Sequence, residues 1–361
     1  MMYETDVVVI GGGPAGLMAS NAAAEAGASV LLIERFAHLG GQLIKQTHKF
    51  FGSEKQYASV RGIDIPLRIA KARELVGERV TIWTHATVLG LFEDGVITVD
   101  RDGKYCKVKP SRIIMATGAS EKFLAFPNND LPGIYGAGAV QTMMNVYGVR
   151  PGRRVLMVGA GNIGLIVSYQ LLQAGVEVVA VVEGLPKIGG YAVHASKIRR
   201  AGVPILTSHT LLRADGIDGV KSAVIAQIDN CWQPIPGSSK SLSCDVICIS
   251  VGLSPLAELL WQAECKMRYV PQLGGYVPLR NERLETSVPD IYVAGDVAGI
   301  EEASAAMVEG RLAGLEAAAS LGLSTPTIDD ERADLRQQLD ELRAGPSGEK
   351  VRSGLAKAGI V

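Results

Sequence analysis

Short apolar runs closed by glycine set the rhythm of this chain. "DVVVIGGG" opens six residues in, and residues 155–158 repeat the figure as "VLMV" before "GAGNIG". Apolar runs of that length between glycines predict strands. After each comes a stretch of small and apolar residues at helical spacing, closing at Gly27 or Gly175, positions suited to a left-handed cap. A second strand follows, "SVLLIE" or "EVVAVVE", and a third echo stands at 112–120, "RIIMATGAS", and at 246–254, "VICISVGLS". Further on, "TSVPDIYVAGD" at 286–296 predicts a strand opening into a helix of small residues. The charge-free run Val155–Val176 is long enough to span a bilayer, but Gly159, Gly161, Gly164, Asn162, Ser168 and Gln170 within it favour a buried strand–helix unit. Near the end, Ile328, Leu335, Leu339 and Leu342 share one helical face. Acids crowd the start of that helix and Gly345-Pro346 is expected to end it, with the residues from Ser347 ordered only when bound.

The first two units are copies. At one constant offset Gly11, Gly13, Gly16 and Gly27 match Gly159, Gly161, Gly164 and Gly175, and Leu17, Ser20 and Ala26 match Leu165, Ser168 and Ala174. After a single inserted residue, Glu34 matches Glu183 and Gly40-Gly41 matches Gly189-Gly190. GxGxxG between a strand and a helix, with an acid ending the next strand, is the dinucleotide-binding fingerprint: turn, close approach of backbone to pyrophosphate, tight helix packing, and a carboxylate for the ribose hydroxyls. Two such units predict an α/β protein with two Rossmann-like dinucleotide-binding domains. Glu183 would oppose a 2′-phosphate, by about 1 kcal/mol in water and about 4 at an effective dielectric of 20 for charges 4 Å apart, so NAD(H) is favoured over NADP(H). Arg199 and Arg200 lie farther along the chain and could reach back to the same place, which leaves NADP(H) open.

Charge is balanced, 36 basic against 37 acidic residues, and aromatics are only 5%, which argues against nucleic acid. With no basic segment ahead of the first strand, a soluble cytoplasmic protein without a membrane span is expected. The five cysteines, Cys106, Cys231, Cys244, Cys248 and Cys265, form no CxxC and no iron–sulfur or other metal spacing. Cys244 and Cys248 are expected on one side of a buried strand.

"GGGPAG", "MATG" and "YVAGD" together resemble the two-dinucleotide-domain flavoprotein family of pyridine-nucleotide oxidoreductases, over roughly residues 4–322. The likeness implies FAD in the first copy, at Gly11, Gly13, Pro14, Ala15, Gly16, Glu34, Gly41, Gln42, Ala116, Thr117, Gly118, Gly295 and Asp296, with the main chain near Val88 meeting the adenine. It implies NAD(H) in the second, at Gly159, Gly161, Asn162, Ile163, Gly164, Glu183 and Gly252. It also implies that the NAD(H) domain (121–280) is inserted in a split FAD domain (1–120 and 281–325), leaving a helical tail (326–361) for a partner or for the FAD domain itself. The segment "GGQLIKQTHKFFG" at 40–52 stands where the disulfide-reductase branch carries its reactive cysteines, and it has none. There Lys45 and His48 are candidates to tune the flavin, against a plain polar loop with solvated cations, while Phe50 and Phe51 are expected in ordinary core packing. His194 is expected on a helix surface. No acid–base catalytic residue is expected, since flavin and nicotinamide carry hydride transfer.

"ATGASEKFLAFPNNDLPGIYGAGAVQTMMN" (116–145) is similar to FAD subunits of multi-subunit oxidoreductases: the NAD(H)-linked subunit of tungsten aldehyde oxidoreductase complexes, and the flavin subunits of dye-linked proline and opine dehydrogenases, cyanide synthase and heteromeric sarcosine oxidase. This similarity implies an iron–sulfur electron-transfer partner and a substrate-oxidising partner. The aldehyde complex is the leading expectation and an amino-acid or opine dehydrogenase the alternative. The amino-acid branch often adds a cysteine-rich iron–sulfur extension, which this sequence lacks.

Overall fold

A computed structural model describes residues 2–50 and 52–359, with the backbone path alone for 72–76; Phe51 lies outside the described residues. The chain forms two compact units, residues 1–120 with 254–361, and residues 121–253.

The first unit is built on a seven-stranded sheet. Its order runs Val80–Trp83, Val30–Ile33, Met2–Ile10, Lys104–Met115, Ile97–Arg101, Ala86–Leu91, and Ile291–Val293 pairs beside Lys104–Met115. The pairings along Val80–Trp83, Val30–Ile33, Met2–Ile10, Lys104–Met115 and Ile291–Val293 are parallel. Val7, Val8 and Val9 are fully buried on alternate faces, which is why the run does not alternate with polar residues. Helices Pro14–Glu25 and Ala303–Ser320 approach so closely that a Cβ on Gly310 would stand 2.1 Å from the Ala15 carbonyl oxygen, and one on Gly314 2.3 Å from that of Ala19. The small residues of both helices follow from that spacing.

The second unit repeats the plan with an all-parallel five-stranded sheet, Ile205–Thr207, Glu177–Glu183, Arg154–Val158, Val246–Ile249 and Ile134–Gly136. The charge-free run is therefore a strand, a turn and the helix Asn162–Gln173. Among the described residues no helix is long and apolar enough to cross a membrane.

Three expectations change. The chain returns to the first unit at Ser254, ahead of the join placed near 280, because Leu260 and Cys265 are buried with Trp83, Leu91, Ile97 and Val293. The residues after Ser347 are ordered within a second tail helix, Gly345–Ala358. Pro346 sits in its first turn, where a missing N–H costs nothing, and Val351, Leu355 and Ala358 pack on Val270, Leu273 and Val277. The first tail helix closes at Leu342, just ahead of Gly345-Pro346 as expected, and Gly345, at φ 69°, separates it from the second. Cys244 and Cys248 join different buried clusters, since the strand begins only at Val246 and Cys244 precedes it.

The first tail helix, Ile328–Leu342, packs back on its own unit. Ile328, Leu335 and Leu339 are buried in the core that holds Leu312 and Leu315. Arg332 and Arg336 reach Glu316 at 2.9 and 2.7 Å, and Arg311 pairs with Glu25 and Glu331.

Candidate dinucleotide sites

The two glycine turns coincide almost bond for bond. Gly11 and Gly159 have φ of 109° and 110°, and their N–H groups donate to the carbonyls of Ile33 (2.9 Å) and Val182 (2.7 Å). A Cβ on either would strike the third strand, 2.3 Å from the Ala116 oxygen or 2.1 Å from that of Ser250. A Cβ on Gly16 or Gly164 would stand 1.8 or 2.1 Å from the oxygen of Gly11 or Gly159. These four glycines are required by the protein itself.

The middle glycines are different. Gly13 and Gly161 have φ of −75° and −72°, which any residue adopts. A Cβ on Gly13 would meet nothing nearer than the Gly41 Cα at 3.9 Å, and one on Gly161 nothing within 4 Å. Packing gives no reason for glycine there; room for a pyrophosphate against the backbone does. Both residues begin helices that have no side-chain cap bond and no acid in the first turn, Pro14–Glu25 and Asn162–Gln173. Their first N–H groups and dipoles suit an anion. Pro14, at the first helical position, withdraws one donor that the helix could not have used. Ala15 is buried and Ile163 partly so.

The acids also correspond. Glu34 accepts the Gly12 N–H on Oε2 at 2.7 Å and the Phe36 N–H on Oε1 at 2.9 Å. Glu183 accepts from Ala160 at 2.8 Å and Leu185 at 3.0 Å. Each carboxylate is thus tied to its own glycine turn and keeps acceptor capacity for further donors. The Ser20 and Ser168 hydroxyls donate back to the Gly16 and Gly164 carbonyls at 2.8 and 2.7 Å. Gly41, with φ 51°, lies against Gly13, where a Cβ would be 2.8 Å from the Gly13 Cα. Gly190 lies against Gly161 in the same way.

Ala116, Thr117 and Gly118 extend the third strand of the first copy. The Ala116 N–H donates to Ile10 at 2.9 Å, and the Thr117 hydroxyl to the Leu256 carbonyl at 2.7 Å. Gly118 (φ 77°) turns the chain, and Gly252 (φ 121°) does so in the second copy. Val88 lies within the strand Ala86–Leu91, paired with Val99. The backbone that reaches Glu34 is slightly earlier, the Ala86 N–H donating to the Glu34 carbonyl at 3.0 Å. The Asn162 side chain accepts the Tyr191 N–H at 2.8 Å, tying the helix start to the loop after Gly190.

Gly295 and Asp296 follow strand Ile291–Val293, with Gly295 at φ 75° and a Cβ there 3.0 Å from that of Ala15. Beneath this turn lies a charge cluster that residue patterns do not reveal. The Gly295 N–H donates to Glu309 Oε2 at 3.0 Å, while Glu309 Oε1 takes Arg280 and Arg343, each at 2.6 Å. Arg343 also grips Glu301 through two bonds of 2.9 and 2.7 Å. Burial alone would raise the Glu309 carboxyl, yet the two guanidiniums hold it well below the usual carboxylate range. Asp296 has no such cation: burial, then the neighbouring Glu301, Glu309 and Glu302 charges, push its carboxyl up to about 7, against the lowering effect of the Glu301 N–H. The one signal available in the sequence is Glu309 and Glu316, two acids that with Arg311 interrupt a helix otherwise made of small and apolar residues.

In the segment after Gly41, Gln42 is exposed and Lys45 is only 8% exposed, so the alternative of a plain polar loop with solvated cations fails for Lys45. Leu43 and Ile65 bury this short turn. His48 is half-buried and its ring stacks on Phe50 at 5.5 Å. His194 is buried rather than on the helix surface, beside Tyr191 at 6.3 Å. Burial, then Lys197, lower its pKa. Among the described residues no group of three or more His, Cys, Asp or Glu could hold a metal ion.

The pyridine nucleotide-disulphide oxidoreductase family matches residues 5–310. The chain belongs to this family. It is an oxidoreductase chain of that family, and it lacks the paired redox cysteines. It is similar to the alpha subunit of sarcosine oxidase from Corynebacterium sp. (strain P-1), 27% identical over 88% of this chain and 33% of the relative. It is equally similar to an opine oxidase subunit from Agrobacterium tumefaciens (strain Ach5), 27% identical over 92% of this chain and 70% of the relative. The chain thus spans about a third of the sarcosine oxidase relative. L-proline dehydrogenase from P. horikoshii has the same fold, with a TM-score of 0.70, 24% identity and coverage of 93% of this chain and 60% of that one.

Proposed function

We propose that this chain is the flavin-bearing subunit of a larger oxidoreductase, holding FAD in the first copy and NAD(H) in the second, and passing electrons to or from a partner that carries iron–sulfur. The observation that carries the reading is the pair Gly13 and Gly161, glycines that only a ligand against the backbone accounts for. In the first copy Gly11 to Gly16 would bind the pyrophosphate, Glu34 the ribose, and the turn at Gly295 and Asp296 the remainder of the flavin nucleotide. In the second, Gly159 to Gly164 and Glu183 would take the corresponding parts of NAD(H), the carboxylate disfavouring a 2′-phosphate. Bound FAD would supply hydride exchange with the nicotinamide and one-electron release to a partner. The chain's own residues bind and orient. Lys45, buried in the turn after Gly41, is the group best placed to favour a negatively charged flavin.

The finer reading is the NAD(H)-linked subunit of an aldehyde oxidoreductase complex, supported by the segment 116–145. The curated relatives favour a second one, the FAD subunit of a heteromeric amino-acid or opine dehydrogenase with substrate oxidised on a partner. Anaerobic mixing of the flavin-loaded protein with NADH, NADPH or proline separates them. Bleaching of the flavin band by NADH, and not by proline, is expected. A flavin that stays oxidised with NADH but bleaches with proline overturns the NAD(H) reading.

A further inference from the structure

The two copies part company just beyond their ribose acids. In the first, His85, at φ 49°, donates its N–H to the Phe36 carbonyl at 3.2 Å and accepts the Asp102 N–H at 3.2 Å, where a tight Asp102-Gly103 turn closes the hairpin. In the second, Ser208, at φ 52°, repeats both bonds, to Leu185 at 3.0 Å and from Ile228 at 2.8 Å. There the hairpin does not close at once. It runs out through a longer loop bridged between Ile228 and Pro234.

That loop is held in one shape. Asp229 accepts the N–H groups of Cys231 and Gln233 on its side chain at 2.8 and 2.9 Å, and its carbonyl takes the Trp232 N–H at 3.0 Å. Trp232 sits at φ 61°, a conformation that bulky residues rarely adopt. Its indole lies on Gly184, where a Cβ would stand 2.5 Å from the ring. Gly184 directly follows Glu183, and its counterpart in the first copy is Arg35, whose guanidinium stacks on Phe36 at 4.7 Å. Yet Trp232 remains 57% exposed. Core burial therefore does not explain a large aromatic held in a strained conformation, against a glycine, beside the ribose acid.

We propose that Trp232 is the adenine-stacking wall of the second nucleotide site, which would take adenosine with a free 2′-hydroxyl on Glu183. The proposal deepens the reading of the second copy as an NAD(H) site and rests on it for the dinucleotide. The shared chemistry is the adenosine diphosphate moiety, which both NADH and ADP carry. Sequence-tolerant aromatic stacking is what a base offers to such a ring. The same contact gives Gly184 its reason, since a methyl there would lift the indole away.

The test uses the full-length, flavin-loaded protein with NADH and ADP as probes. W232A is expected to raise KM for NADH in flavin reduction about tenfold, the scale of one lost base–aromatic stack, with the limiting rate held. ADP inhibition should weaken by a similar factor, W232F should recover most of the affinity, and G184A should behave like W232A. NADH should quench tryptophan emission in the wild type, and W232F should lose that response. Wild-type NADH and ADP affinities in W232A, with the flavin retained, overturn the proposal and leave the NAD(H) reading standing. ADP binding that depends on Trp232, in a protein whose flavin NADH does not reduce, supports the wall and overturns the dinucleotide. Binding of neither probe to the wild type overturns both.

Discussion

Set side by side, the two dinucleotide folds agree in their glycines and differ in what surrounds them. The turn, the acid that closes the second strand and even the serine that bonds back to the third glycine repeat within a few tenths of an ångström. The third strand does not. In the first copy, meander and central strand are one continuous element, Lys104–Met115; in the second, that element is divided into Lys240–Ser243 and Val246–Ile249. Beside the first copy lies a buried charge cluster anchored by a tail arginine, and beside the second an exposed indole on a glycine. Backbone packing fixes the shared frame, and the unshared additions are where the two proposed sites differ.

The frame itself gives the largest effects. Gly16→Ala and Gly164→Ala place a Cβ 1.8 and 2.1 Å from a carbonyl oxygen, and each should cost about 4 kcal/mol or more of stability, read by thermal denaturation. Gly13→Ala and Gly161→Ala, with open space before them, should change the nucleotide-free stability by less than about 1 kcal/mol while abolishing binding in the copy that carries the change. Equal destabilisation at all four positions would break the distinction between frame and ligand glycines.

Next in size is the cluster confined to the first copy. Arg343→Met removes one partner from Glu309 and Glu301, both almost fully buried, and should destabilise by about 3–5 kcal/mol and release the tail. Asp296 supplies a pH signature. Its carboxyl, ordinarily near 3.8, titrates at about 7 in the folded, nucleotide-free chain, so the folded state holds the extra proton between those values. Its contribution is complete below about pH 4 and is lost as pH rises through about 7. Asp296→Asn should flatten this dependence and raise apo stability at pH 8 by at most about 4 kcal/mol, at about 1.4 kcal/mol per pH unit.

Glu183→Gln should narrow the preference for NADH over NADPH about fivefold in flavin reduction, the low end of the repulsion expected at 4 Å. Glu34→Gln should leave that preference unchanged and weaken flavin retention. The smallest effect belongs to the thiols. Burial raises Cys248 strongly and Cys244 to about 11, so both should stay unmodified when the native protein is alkylated, read by mass spectrometry, while the exposed Cys231 reacts. Rapid alkylation of Cys244 or Cys248 in the folded protein would contradict their burial.

The frame was legible because its constraints are local. A glycine at fixed spacing after an apolar run, with an acid closing the next strand, leaves few other folds, and the repeat doubled that signal. The join at Ser254 was not legible, because it depends on where Leu260 and Cys265 are buried, a tertiary fact with no mark at the boundary. The second tail helix hid behind Gly345-Pro346, a pair that reads equally as a stop and as a new start. Glu309 and Arg343 lie far apart along the chain and meet only when the tail packs back. Trp232 was invisible for a similar reason: one tryptophan in a polar loop has no periodicity, and its meaning lies in Gly184 beneath it.

The division of labour between the copies is tested most directly by equilibrium titration of the FAD-saturated protein with NAD+. One NAD+ site per chain is expected, undisturbed by excess FAD and lost in Gly161→Ala, which keeps its flavin. No NAD+ binding to the FAD-loaded protein, or NAD+ that binds only by displacing FAD, would contradict it.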